Sequence, residues 1–336
     1  MNCVSPIWIG IGIIIVLFLM NNKDIKKKLK GGFNFTKRDL REYYLLRDID
    51  YKNNKGMLQL TNKNKKKLDL VNFQINTVNS SYMMDDKVAS KFLLTKYELP
   101  TSKYFKIQNR FINDEIRVSN LLKHFKIKYP VVVKPVRGSH GNGVKTDINN
   151  FNDLMENLKN DYLIEEQLEG DNYRILVIDD KVINSVICRE KPFVIGDGKS
   201  KFIDLINKKN KTSPYNLSVD YDLLSIINVK DDSIIEKDKR VIVNNVVNYH
   251  KGATLRYVPA DDFHKDNIKM FSKINKIFGS RLCGVDFISK DISKSYKEGE
   301  GSIIELNSGA HELIHYNNDQ VDQNDFFDEV FNILFK

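Results

Sequence analysis

Apolar residues are laid along this chain in two ways. From Ile7 to Met20 they run broken only by glycine, IWIGIGIIIVLFLM, and no charged side chain stands between Met1 and Asn22. With its flanks, residues 4–21, the run reaches the lower limit of a bilayer span, about 17–25 apolar residues, and predicts an N-terminal transmembrane helix. A cleaved signal peptide is the competing reading, but no Lys or Arg precedes the run and no small-residue cleavage site follows it. The basic linker after it, residues 22–32, carries five lysines between Lys23 and Lys30, which by the positive-inside tendency stay cytoplasmic. A single-pass anchor with the bulk of the chain in the cytoplasm is expected.

Beyond the linker the apolar positions take helical or strand period. A small N-terminal α/β region, 33–84, has a helical stretch at 38–49 and short strands at 57–60 and 68–78 around a basic turn. An amphipathic helix over 83–94 puts Lys87 and Lys91 on one face at i, i+4, where a solvated face is the plain expectation. An edge strand near 104–107 and a helix over 115–125 precede a buried strand, Pro130 to Val133. Next come a helix over 151–160, strands at 162–164, 173–179 and 183–189, and a helix over 202–210. A single amphipathic helix over 266–278, paired strands at 282–288 and 302–308, and a closing helix over 326–335 complete the pattern. No internal repeat is visible.

Composition narrows the function classes. The 336 residues, 41% hydrophobic and 29% charged, suit one large or two medium folded domains with something appended. The net charge of +9 is a lysine excess in KDIKKKLK and NKNKKK. Those runs lack interleaved aromatics and lie outside the recognisable chemistry, so no nucleic-acid partner is expected. Cys3, Cys188 and Cys283 are too few and too scattered for a disulfide framework or a zinc site, which suggests a reducing compartment.

Three stretches carry chemistry. In YPVVVKPVRGSHGNGV, Lys134 closes the buried strand and Pro135 is expected to stop its ladder. Gly138, Gly141 and Gly143, with Ser139 and His140 between them, can turn backbone N–H groups onto an anion. Neither the P-loop nor the Rossmann spacing is present. In DYLIEEQLEGDNYRILV, a strand runs into Glu165 and Glu166, with Leu168 before the turn at Gly170. Such a hinge can offer its backbone to an adenine edge; a hairpin with surface acids is the plainer reading. Finally, Asp286 lies in one strand while Glu305 and Asn307, at i, i+2, share a face of the next. Three oxygen-bearing side chains ending buried strands suit magnesium, against a reading as surface carboxylates on edge strands. Arg189 ends a strand beside apolar neighbours, a position that suits an anionic partner. YHKGAT, with His250 and Lys251 at its tip, interrupts two strand-like runs.

Taken in order, VVVKPVRGSHGNGV, IEEQLEGDNYRILV, VIGDGKSKFIDLI, GVDFISKDIS and IIELNSGAHELIHY resemble the ATP-grasp superfamily over roughly Asp85 to the C-terminus. The nearest resemblance is to the ATP-grasp domains of cyanophycin synthetases and bifunctional glutamate–cysteine ligase/glutathione synthetases. It implies an α+β fold in which two α+β subdomains grip ATP, here over 85–336. It also implies Lys87 and Lys134 on the phosphates, the Gly138–Gly143 loop closing over them, and Glu165, Glu166 and Leu168 at the adenine hinge. Asp286, Glu305 and Asn307 would hold two Mg2+ ions, with Mn2+ as a substitute, and Arg189 would face the reacting acyl group. Arg174, His250, Lys251 and Gly252 fall on the substrate side. The implied enzyme is an ADP-forming carboxylate–amine ligase acting on an amino acid or small peptide, and related enzymes are often homo-oligomers. Two departures stand out. Asn172 replaces the usual ribose-binding acid, and the substrate loop has lost a glycine and gained His250 and Lys251. A non-catalytic, membrane-tethered ATP-binding module and a ligase that modifies a protein tail are the rival readings.

Overall fold

The computed structural model describes residues 50–309, except 55–56, 62–64, 66, 72–74, 139–140, 184–185, 214 and 300, together with 332, 333 and 335. The apolar run 4–21, the basic linker, the stretch 38–49 and most of the closing stretch 326–335 lie outside the described residues. Among those described, no helix is long and apolar enough to cross a membrane.

The small N-terminal region is a three-stranded antiparallel sheet of β1 (Asp50–Asn54), β2 (Met57–Thr61) and β3 (Lys67–Val71). The apolar pattern foresees β2 and β3 but not β1, whose DYKNN sequence has no alternation and which forms by pairing Asp50 with Thr61. Next come α1 (Val78–Asp85) and α2 (Lys87–Lys96) where one helix over 83–94 is expected. The break is at Asp86. Its backbone is extended, and its carboxylate accepts from the N–H groups of Val88 and Ala89, capping α2.

A four-stranded antiparallel sheet follows, built from β4 (Tyr104–Lys106), β5 (Val131–Pro135), β6 (Lys145–Ile148) and β7 (Tyr162–Glu166) in the order β4-β7-β5-β6. Pro135, opposite Tyr162, is the last residue of β5, so the strand ends at the proline as expected. Helices α3 (Glu115–His124) and α4 (Phe151–Asn157) cover one face, where Val118, Leu122 and Leu154 pack with Val131, Val133 and Ile164. Alternation sends Val132 and Lys134 of β5, and Leu163 and Glu165 of β7, to the other face.

The larger sheet starts with β8 (Asp171–Ile178), the short hairpin strand β9 (Lys181–Val182) and β10 (Val186–Glu190). The chain then leaves it for a separate layer: a β11 (Phe193–Ile195)–β12 (Arg240–Ile242) ribbon with α5 (Phe202–Thr212) and α6 (Tyr221–Ile226) around their own core of Val194, Phe202, Leu205, Leu224 and Val241. It returns with β13 (Thr254–Val258), β14 (Leu282–Ser289) and β15 (Gly301–Asn307), completing the order β13-β10-β8-β14-β15. The single helix expected over 266–278 is two, α7 (Lys265–Phe271) and α8 (Ile274–Phe278), separated where Lys273 N–H bonds back to the Met270 carbonyl at 3.2 Å. Both pack on the sheet's dry face, where Tyr173, Ile175, Val177, Cys188, Cys283, Val285 and Phe287 meet Phe271, Ile274 and Phe278. The opposite face carries Asn172, Arg174, Arg189, Asp286, Glu305 and Asn307.

Two details fix β15. Its pairing with β14 shifts register between Asp286, opposite Glu305, and Phe287, opposite Ile303, so that Ile304 is a bulged residue. Buried Asn76 ties the start of β14 to the end of β15. Its Oδ1 accepts from the N–H groups of Arg281 and Leu282 at 2.9 and 3.0 Å, and its Nδ2 donates to the carbonyls of Leu282 and Ser308 at 2.7 and 3.0 Å. Asn76→Ala leaves these backbone groups without that partner, and we expect a loss of ~2–3 kcal/mol in urea unfolding; a loss below ~0.5 kcal/mol contradicts the role given to this amide.

Candidate active site

The charged faces of the two sheets enclose a cleft of about 430 Å³. Lys134 and Glu165 line it from the four-stranded sheet, and Asn172, Arg174, Arg189, Asp286, Glu305 and Asn307 from the larger one. Lys87 enters from the first turn of α2, and Gly138 and Gly141 from the glycine-rich loop. Tyr249 and His250 come from the segment that follows β12.

The loop conformation explains two of its glycines. Gly141 and Gly143 have φ of +67° and +72°, and a side chain at 143 would run into the Tyr162 hydroxyl. The Gly138 carbonyl accepts from Lys87 Nζ at 3.2 Å, which ties the loop to α2. Ser139 and His140 lie outside the described residues.

Lys87 and Lys91 are both buried, and the expected solvated face is not found. Lys87 Nζ stands 3.2 Å from Glu305 Oε1, and Lys91 Nζ stands 3.0 Å from Glu165 Oε2. The other oxygen of Glu165 pairs with Lys134 Nζ. Two ammonium groups thus share one buried carboxylate. Burial opposes ionisation of Glu165, but Lys134 and Lys91 outweigh it and hold the carboxyl down at about 2. Burial works against the Lys134 charge as well, yet Glu165 and then Glu305 raise its pKa above the ordinary value. Lys91 was missed as a site residue by sequence reasoning; its signal is the i, i+4 spacing from Lys87, whose partners come from distant strands.

In the larger sheet, Arg174 and Arg189 converge on one carboxylate. Arg174 Nε lies 3.2 Å and Arg189 Nη2 2.9 Å from Asp286 Oδ1. Neither contact has hydrogen-bond geometry, so Asp286 Oδ1, Arg174 Nε and Nη1, and Arg189 Nε are buried without a hydrogen-bond partner. Arg189 Nη2 donates to Asn172 Oδ1 at 3.0 Å, so the amide at this position is already engaged by the arginine. Burial lowers the Arg189 pKa despite Asp286 beside it.

The register Asp286↔Glu305 and Gly284↔Asn307 brings the three oxygen donors onto one face, as the i, i+2 spacing implies. The donor set is hard oxygen throughout and faces two lysines, with Asp286 Oδ1 at ion-pair distance from Arg174 and Arg189 and Glu305 Oε1 from Lys87. These residues fit magnesium beside a polyphosphate.

The remaining predicted residues divide. Glu166 and Leu168 line the cleft. Glu166 is held by Lys103, whose backbone N–H donates to Oε1 at 2.9 Å and whose Nζ lies 3.3 Å from Oε2. The turn after them needs glycine, because a side chain at Gly170, φ +134°, would overlap the Ser289 carbonyl. His250 lines the cleft with its ring 4.5 Å from that of Tyr215. Lys251 and Gly252 are not among the lining residues: Lys251 lies against Gly141, and Gly252, φ +87°, sits against Leu217. Lys191, Asn245 and Asn248 line the same end of the cleft, and no motif in the sequence singled them out.

Residues 84–231 match the family model of the RimK-like ATP-grasp domain. The cyanophycin synthetase of Synechocystis is 28% identical over 256 residues, covering 68% of this chain and 28% of that protein. The glutathione biosynthesis bifunctional protein GshAB of Listeria monocytogenes is 26% identical over 284 residues, covering 76% of this chain and 35% of that protein. This chain therefore spans only about a third of the length of these relatives. A crystal structure of a bifunctional glutathione synthetase from Pasteurella multocida shares the fold, with TM-score 0.58 and 20% identity over 87% of this chain and 42% of that one.

The shared carboxylate makes a pH prediction. Because Glu165 is depressed from 4.5 to about 2, its contribution to stability is full above about pH 4.5 and is lost as pH falls through about 2. Glu165→Gln, which leaves two buried ammonium groups, is expected to cost ~3–5 kcal/mol at pH 7 and to flatten the acid limb of stability against pH. An unchanged acid limb in urea titrations contradicts the assignment.

Proposed function

We propose that this chain, which carries a RimK-like ATP-grasp domain, is an ATP-dependent carboxylate–amine ligase that joins an amino acid or small peptide to an amine. The observation that carries the reading is the buried Arg174–Arg189 pair. Three of its nitrogens, Arg174 Nε and Nη1 and Arg189 Nε, are buried without a hydrogen bond, on side chains that line the same cleft as Lys87 and Lys134. Cations left short of hydrogen-bond acceptors in a cleft suit ligands that bring negative oxygens.

In the proposed reaction a carboxylate oxygen of the acid attacks the γ-phosphorus of ATP, and the bond to the β–γ bridging oxygen breaks to release ADP. The amine then attacks the acyl carbon, phosphate leaves with the C–O bond electrons, and the amine gives up a proton. Lys134 and Lys87 counter the phosphate charge; Arg189 faces the acyl oxygen, on which negative charge develops as the amine adds. Asp286, Glu305 and Asn307 would hold magnesium, two ions in this reading, which when bound neutralises phosphate charge. The glycine-rich loop, tied to Lys87 at Gly138, would exclude water from a hydrolysable acyl phosphate. We also place the enzyme on the cytoplasmic side of a membrane, anchored by residues 4–21. Deleting residues 1–22 is expected to move the protein from the membrane to the soluble fraction; if the full chain is itself soluble after lysis, the anchor is wrong.

The test is release of ADP and phosphate from Mg-ATP in the presence of pooled amino acids and dipeptides, with mass spectrometry of the mixture. The expected product is one water lighter than its two parents. Lys134→Ala and Glu305→Ala are each expected to lower amine-dependent ADP release by about a hundredfold or more. Wild-type turnover in either removes these residues from the site.

A further inference from the structure

Lys91 does not line the cleft, yet it is among the most deeply buried side chains of the protein. Its ammonium group has three protons and finds three acceptors: Ser102 Oγ at 2.6 Å, Thr101 Oγ1 at 3.0 Å and Glu165 Oε2 at 3.0 Å. The two hydroxyls pass the constraint on. Ser102 donates to the same Glu165 oxygen at 2.9 Å, and Thr101 donates to the Ile303 carbonyl at 2.8 Å. Ile303 is two residues before Glu305 on β15, and its own N–H bonds to the Pro100 carbonyl at 2.9 Å. A single ammonium group therefore joins the segment 100–102, strand β7 and, through Thr101, the strand that carries two of the proposed metal ligands.

We propose that Lys91 is a positioning residue for nucleotide binding: by occupying one oxygen of Glu165 it leaves Lys134 with the other and keeps the Lys134 ammonium available to the phosphates. This rests on the reading of the cleft as a Mg-ATP site. Two lysines around one carboxylate carry a net charge of +1 at this end of the cleft, while Lys87 and Glu305 balance each other. Without the Lys91 charge Glu165 keeps the Ser102 hydroxyl but pairs with Lys134 alone as its cation, the cluster becomes neutral, and a phosphate must compete with the whole carboxylate charge for Lys134. Burial pulls the Lys91 pKa down to about 8, which is the desolvation cost of keeping a second cation behind the site.

The experiment measures Mg-ATP affinity by calorimetry, kcat and KM in the ligase assay, and urea unfolding, in the full-length protein. Lys91→Met is expected to weaken Mg-ATP binding about tenfold, to raise KM for ATP by the same factor, and to change kcat less than threefold. Lys91→Arg keeps the charge and should restore binding to within about threefold. In the Lys91→Gln/Glu165→Gln double variant the carboxylate that would capture Lys134 is gone, and Mg-ATP should bind at least about threefold more tightly than it does to Lys91→Met. A merely structural lysine would lower the urea midpoint without this pattern. If folded Lys91→Met binds Mg-ATP as wild type does, or if the double variant binds no better than Lys91→Met, the proposal fails while the cleft reading stands. If the wild-type protein binds no Mg-ATP, both fall. Should Lys91→Met not fold, Ser102→Ala takes its place: a weaker Mg-ATP affinity at unchanged kcat supports the proposal, and an unchanged affinity overturns it.

Discussion

A strand can offer only two faces, and the three central strands of the larger sheet put the charges of the site on one of them. Tyr173, Ile175 and Val177 of β8 face the helices, and Asn172 and Arg174 between them face the cleft. The neighbouring strands obey the same period, so Arg189 stands opposite Asn172 and Asp286 opposite Arg174. Every cation and carboxylate of this wall is thus placed by register, and a one-residue slip of any strand would exchange charge for core. The charged face is affordable only because the opposite face is dry and continuous, from Met84 to Leu306.

The opposing wall depends on a different balance. Ion pairs taken out of water repay their desolvation only when geometry and further hydrogen bonds are good. Glu165 meets that condition with two ammonium groups and the Ser102 hydroxyl. The Arg174–Asp286–Arg189 cluster does not, because it keeps four buried polar atoms without hydrogen bonds. One wall has its buried hydrogen bonds met while keeping a net positive charge, the other leaves several unmet, and a polyanion entering between them would meet cations on both.

Local pattern was enough to find most strands and the three chemical stretches, because buried β-branched runs and the Glu305-x-Asn307 alternation are local signals. Where the reading failed, the cause was long-range. Nothing near Lys91 in sequence announces Glu165, seventy-four positions away, so its helix face read as solvated. The breaks at Asp86 and at Ser272–Lys273 lie inside continuous amphipathic patterns, and only the cap geometry reveals them. Strand β1 has no pattern of its own and exists by pairing. The convergence of Arg174 and Arg189 on Asp286 depends on which strands are neighbours, an arrangement fixed by topology rather than by spacing. The resemblance put Lys251 on the substrate side; the left-handed turn at Gly252 carries the chain onward against Leu217, and Lys251 lies beside the glycine-rich loop.

The bulge in β15 bears on how the gene for this protein can vary. Core residues Ile303 and Leu306 are three apart instead of two, and the surplus position is Ile304. Alternation would be perfect without it, so the hydrophobic pattern does not demand the extra residue. It instead sets the distance along the strand between Ile303, anchored on Pro100, and the pair Glu305 and Asn307. Losing that codon would draw the two oxygen donors about 3.3 Å toward the anchor, whereas exchanging Ile304 for another side chain would leave them where they are. At this position the count of residues is under tighter constraint than their identity, and a reading-frame-preserving deletion should be far less tolerated than a substitution.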